Sequence, residues 1–163
     1  MSWKRTRQLE RRHLPASNTA PHDGILARVT RVLVERLSTA ESGDAFGVPG
    51  MGTVHMHVRA GHAGGRFAMP TIRRTRFRPT PALAKALHPD ADGDALGDVA
   101  WLEAVGIPLD ACQRAFEAAL EPLACDSPVV LPGLGRLEAF RGRGHVFPLL
   151  KLSPAARSVI DPR

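Results

Sequence analysis

Seven basic side chains stand between Gly50 and Pro89 with no acid among them: Arg59, Arg66, Arg73, Arg74, Arg76, Arg78 and Lys85. Guanidinium groups meet phosphate oxygens two at a time and enter narrow, negative grooves, so the chemistry this stretch suggests is polyanion binding. Along a strand, alternate residues share a face, which puts Arg74, Arg76 and Arg78 on one side and Arg73 on the other. The same residues also fit a solvated ribbon whose charges merely block edge-to-edge pairing. Arg141 and Arg143 form a smaller basic turn that suits either reading.

His55 and His57 alternate on one strand face, with His62 further along. Two such histidines are half a metal site, but no Asp, Glu or Cys stands nearby to complete it. No metal or cofactor is expected, and polar ribbon residues facing a nucleic acid are the better account. Gly50 with Gly52, and Gly133 with Gly135, lack the spacing of a phosphate-cradling loop. They suit tight corners instead. Ser127, Ser153 and Ser158 have no nucleophile-elbow context, Cys112 sits in a helix stripe, and Asp90, Asp92 and Asp94 lack a calcium-loop pattern. No enzyme is expected.

The elements that must carry these residues come in two similar rounds. Val48-Pro49-Gly50-Met51-Gly52 is echoed by Leu131-Pro132-Gly133-Leu134-Gly135, each followed by an alternating strand, a second strand and a Thr-Pro or Ser-Pro helix start. The pattern predicts a helix from Pro21 to Ser38 with Ile25, Leu26, Val29, Val32, Leu33 and Leu37 as its apolar stripe. It then predicts strands over Thr53–Val58 and Phe67–Phe77, and a short helix capped by Thr80. The second round predicts helices over Ala95–Val105 and Pro108–Leu123. A strand near Leu137, a hairpin turn at Arg141–Gly144 and a last helix after Ser153-Pro154 follow.

The chain of 163 residues carries a formal charge of +6. The charge is unevenly divided: from Asp90 onward, seven Lys/Arg face eleven Asp/Glu. Residues 1–18 read as a basic flexible arm, with Lys4, Arg5, Arg7, Arg11 and Arg12 against Glu10. Residues 19–89 form the first unit, 90–94 an acidic hinge and 95–163 the second unit. Units this small bury too little alone, so the two are expected to pack together. No apolar run suits a membrane span, and nothing after Arg11-Arg12-His13 resembles a secretory signal. Two cysteines without metal spacing, Cys112 and Cys125, fit a reducing compartment.

This order of elements resembles the HU/IHF family of bacterial nucleoid proteins. The resemblance lies on Gly50-Met51-Gly52-Thr53-Val54, on Phe77-Arg78-Pro79 through Ala82-Leu83, and on Gly133-Leu134-Gly135-Arg136-Leu137. It implies an α+β fold of two tandem HU/IHF-like units, each with a three-stranded antiparallel meander and a shortened β-ribbon arm, paired within one chain as a pseudo-dimer. It further implies architectural, mainly sequence-independent binding of double-stranded DNA in a cytoplasmic nucleoid, with RNA left open and room for further self-association. The family wedges base pairs apart with a Pro at the arm tip; Gly61-His62-Ala63-Gly64-Gly65 has none, so no wedge residue is assigned. The rival expectation is a protein-interaction module that kept the fold and lost DNA bending.

Overall fold

The computed structural model describes residues 22–162. The predicted basic arm, residues 1–18, lies outside them. Helix α1 covers residues 22–39, and Leu26, Val29, Leu33 and Leu37 are its buried stripe. Three strands follow, β1 (Ala45–Val48), β2 (Gly52–Arg59) and β3 (Ile72–Pro79), then helix α2 (Pro81–Leu87). The second half holds helix α3 (Leu109–Leu120), strands β4 (Val129–Leu131), β5 (Gly135–Gly142) and β6 (His145–Leu152), and helix α4 (Pro154–Ile160). The result is mixed α+β, with two antiparallel meanders ordered β1-β2-β3 and β4-β5-β6.

The two meanders repeat one set of local contacts. Val48 pairs with Gly52 around Gly50, and Leu131 pairs with Gly135 around Gly133. Both corner glycines have positive φ, +83° and +73°, where a Cβ would be strained. Gly52 and Gly135 are needed for a different reason: a Cβ there would strike the carbonyl of Arg78 or Lys151 on the neighbouring strand. Thr80 N–H donates to the Met51 carbonyl at 3.1 Å, and Ser153 N–H to that of Leu134 at 2.9 Å. The Thr80 and Ser153 hydroxyls then cap α2 and α4 by accepting from Leu83 and Ala156 N–H.

The halves also grip each other reciprocally. Thr30, buried on α1, reaches the Pro132 carbonyl beside the second corner at 2.6 Å. Gln113, at the matching place on α3, packs its backbone against Gly50 of the first corner. Arg73 at the root of the first ribbon reaches the carboxyl end of α4, while His145 at the turn of the second packs on His88 at the end of α2. One buried cluster runs through both halves, from Leu33, Met51 and Met56 to Phe116, Leu131 and Leu137.

Three predicted elements differ. The helix expected over Ala95–Val105 is irregular until Val99 and becomes a 3-10 turn over Ala100–Val105. Apolar residues at every third position suit three residues per turn, and Gly97 is tied to the first sheet by its N–H donating to Thr53 Oγ1 at 2.9 Å. The second helix is α-helical only to Leu120, then 3-10 to Cys125, because Pro122 has no N–H to continue the ladder; Leu109, expected in its stripe, is exposed. Strand β3 begins at Ile72, not Phe67. Beyond it the ribbon closes through the lone His62↔Met69 bridge, in the same register, with Pro70 between.

The acidic segment expected as a hinge is pinned to the first sheet. Asp94 N–H donates to the Pro79 carbonyl, and Gly93 packs on Thr80 and Pro81.

Burial in the α3 stripe pushes the Cys112 thiol up to about 11 from 9.0, whereas Cys125 is exposed. A thiol reagent at about pH 8 should therefore label one cysteine per native chain and both in denaturant. The same shift sets a sign for stability. The unfolded thiol ionises first, so the contribution of Cys112 is complete below about pH 9 and is lost as pH rises toward 11. A melting series across that window should show the decline, absent in Cys112→Ala.

Candidate nucleic-acid interface

Strict alternation in β2 and β3 decides which side chains meet solvent. Val54 and Met56 face the core, with Phe77 opposite Val54. His55, His57 and Arg59 therefore share the outer face, with Thr53 on the same side but buried beneath Gly97, and the register sets Thr53, His55, His57 and Arg59 against Arg78, Arg76, Arg74 and Ile72. Two rungs, His55↔Arg76 and His57↔Arg74, make a basic ladder across the sheet. Arg74, Arg76 and His57 are exposed, and His55 is half-buried. A shallow pocket of about 260 Å³ opens at the far end of the ladder, lined by Ser42, His57, Arg59, Ile72 and Arg74 among others. Three cationic or polar nitrogen-bearing groups around one small concavity are what a phosphate needs.

The tip of the ribbon carries Arg66 and Phe67, both exposed. Phe67 is 80% exposed, the most exposed large apolar residue among those described. Sequence reading passed over it because it was placed inside a strand. Gly64 and Gly65, with φ of +95° and +80°, make the turn that presents it.

The remaining predicted residues lie elsewhere. Arg73, as alternation requires, points to the opposite face. Its Nη2 donates to the carbonyls of Leu37 (2.8 Å) and Ala40 (2.7 Å), and its Nε donates to that of Ile160 (2.8 Å). It thus serves the orphaned carbonyls at the carboxyl ends of α1 and α4, where a cation is favoured. This is a structural post, turned away from the ladder. Arg78 shares the outer face but stands 3.7 Å from Asp94. Lys85 is exposed in the last turn of α2, off the sheet. Arg141 faces away from the outer surface of its own sheet and pairs with Asp126, while Arg143 occupies the two-residue turn with φ +50°. The set that shares the outer face is therefore narrower than the full one: Arg59, Arg74 and Arg76 with the imidazoles of His55 and His57, and Arg66 at the tip.

The matching face of the second sheet has a different chemistry. Glu138 is held between Arg136 (2.8 Å) and Lys151 (2.9 Å), and these cations keep its carboxyl below the usual range, Lys151 by a hydrogen bond first. Beside this neutralised cluster, Phe140 and Phe147 pair across the strands with ring centres 5.1 Å apart. Phe140 was expected as a strand residue; that its ring faces solvent follows from the register set by the turn at Arg143-Gly144.

Among the described residues no group of three or more His, Cys, Asp or Glu could hold a metal ion. No helix among them is long and apolar enough to cross a membrane. No protein-family model and no curated protein matches the chain.

Proposed function

We propose that the chain is a non-catalytic, mainly sequence-independent DNA-binding protein of nucleoid type, built as two degenerate HU/IHF-like units paired within one polypeptide. The observation that carries the reading is the acid-free ladder of His55, His57, Arg74 and Arg76 on an open sheet face, continued by Arg59 to the ribbon tip. Phosphates of double-stranded DNA would lie along this ladder, with counterion release supplying the affinity. At the tip, Arg66 is placed to enter a minor groove and Phe67 to press between base pairs, the part that a Pro plays in the family. The reciprocal contacts of the two halves support the pseudo-dimer. Their unlike outer faces support an asymmetric footprint.

Titration of a labelled random duplex by fluorescence anisotropy tests this. Micromolar or tighter binding is expected, weakening roughly 100-fold between about 50 and 200 mM salt if about four phosphates are neutralised. Failure to bind at low salt would send the account to its rival.

That rival, a protein-interaction module, has its own observation. An apolar groove of about 600 Å³ runs between α2 and α3, lined by Leu83, Leu87, Leu96 and Leu120, with Glu117 and Glu121 also along it. Binding of a basic amphipathic segment there, without duplex binding, would favour it.

A further inference from the structure

Exposed aromatic rings on a sheet face usually stabilise their own hairpin, and the Phe140–Phe147 pair does so across β5 and β6. Two features of its setting exceed that role. The rings remain 47% and 43% exposed, on the face turned from the core. They also adjoin the basic ladder. Strands β3 and β6 lie side by side, and a groove of about 450 Å³ between them is lined by Arg76 and Arg78 from one side and Phe147 and Leu149 from the other, with Asp92 at its edge beside the arginines. A second groove between the same strands is lined by Arg74 and Lys151, with Arg157 and Asp161 also along it.

Flat apolar rings next to a row of guanidinium groups match a ligand that alternates planar bases with phosphates. A duplex hides its base faces in the stack, whereas a single strand exposes them. Glu138, the one acid on this part of the second sheet, is neutralised by Arg136 and Lys151 and so raises little opposition to a polyanion. We propose that the surface across β3 and β6 binds single-stranded nucleic acid, its bases stacking on Phe140 and Phe147 and its phosphates over Arg74 and Arg76. This deepens the polyanion-binding reading above and rests on it.

The test compares three labelled ligands of equal length by anisotropy: oligothymidine, an abasic deoxyribose-phosphate oligomer and a duplex. Wild type should bind oligothymidine at least about tenfold more tightly than the abasic strand, the advantage expected of stacked bases. The double variant F140L/F147L keeps apolar side chains in the hairpin but removes the ring faces. It should lose the advantage while holding duplex affinity within about twofold, and a matching thermal melt confirms that it folds. Equal binding of oligothymidine and abasic strand by wild type overturns the proposal, as does an advantage that survives in F140L/F147L. If wild type binds none of the three, the polyanion reading itself fails. If it binds the duplex without any base advantage, only the single-strand proposal fails.

Discussion

Replacing Arg74 and Arg76 together with alanine is expected to weaken duplex binding by about tenfold to 100-fold near 100 mM salt, and to lower the slope of log K against log salt by about 2. The side chains stand on consecutive rungs of the outer face, opposite His57 and His55, and both are exposed. Among the described residues neither pairs with a carboxylate, in contrast to Arg78 with Asp94 and Arg141 with Asp126. Stability should therefore change by no more than about 0.5 kcal/mol, as for surface substitutions away from special contacts. The slope decides between explanations. Two fewer phosphate contacts reduce it, whereas a loss of affinity through misfolding would lower the fraction of active protein and leave the slope alone.

Arg73→Ala should give the reverse pattern, a loss of stability of about 3 kcal/mol with duplex affinity of the folded protein unchanged. Removing the guanidinium takes a donor from the carbonyls of Leu37, Ala40 and Ile160, which come from α1, the segment after it and α4, and leaves Leu37 only the long bond from Ala40 N–H. Hydrogen bonds from a charged donor contribute about 1.5–3 kcal/mol each, and water can replace only part of them at this half-buried site. The favourable interaction of a cation with two helix carboxyl ends goes as well. Chemical denaturation monitored by circular dichroism reads the stability, and titration well below the new midpoint reads the affinity. Arg73→Lys should recover only part of the loss, because an ammonium lacks the planar fork that reaches three carbonyls. Adjacent arginines with opposite phenotypes would separate ladder from scaffold within one strand.

That division was half legible in the sequence. Period-two alternation sent Arg74 and Arg76 one way and Arg73 the other, and the register confirms it. Where Arg73 ends could not be read, because its three carbonyl partners lie far from it along the chain and are gathered only by the packing of α1 against α4. Local signals with their own chemistry survived intact. The glycine corners and the Thr80-Pro81 and Ser153-Pro154 helix starts specify backbone conformations that no distant contact needs to supply.

Segments governed by tertiary contact were misread. Ala95–Val99 continues the apolar spacing of a helix, but Thr53 and Gly47 of the first sheet hold it out of one, Gly47 N–H donating to the Asp98 carbonyl at 2.7 Å. Contacts of that kind routinely override propensity. Phe67, Phe140 and Phe147 were missed as site candidates for a related reason. An aromatic residue in a strand-like run reads as core, and only the register and turn positions show which rings face outward. Composition nevertheless marked the segment that carries the ladder, since the acid-free stretch from Gly50 to Pro89 contains all of it.

The central claim is that the outer face of the first sheet is a phosphate-binding surface. Its most direct measurement is residue-level NMR mapping, following backbone amides and arginine Nε–H signals while a short random duplex is added. The account predicts shifts concentrated at His55, His57, Arg59, Arg74 and Arg76 and at the ribbon tip around Arg66 and Phe67, with the Arg73 side-chain signal unmoved. Shifts clustered instead on the groove between α2 and α3, or absent at low salt and high duplex concentration, would contradict it.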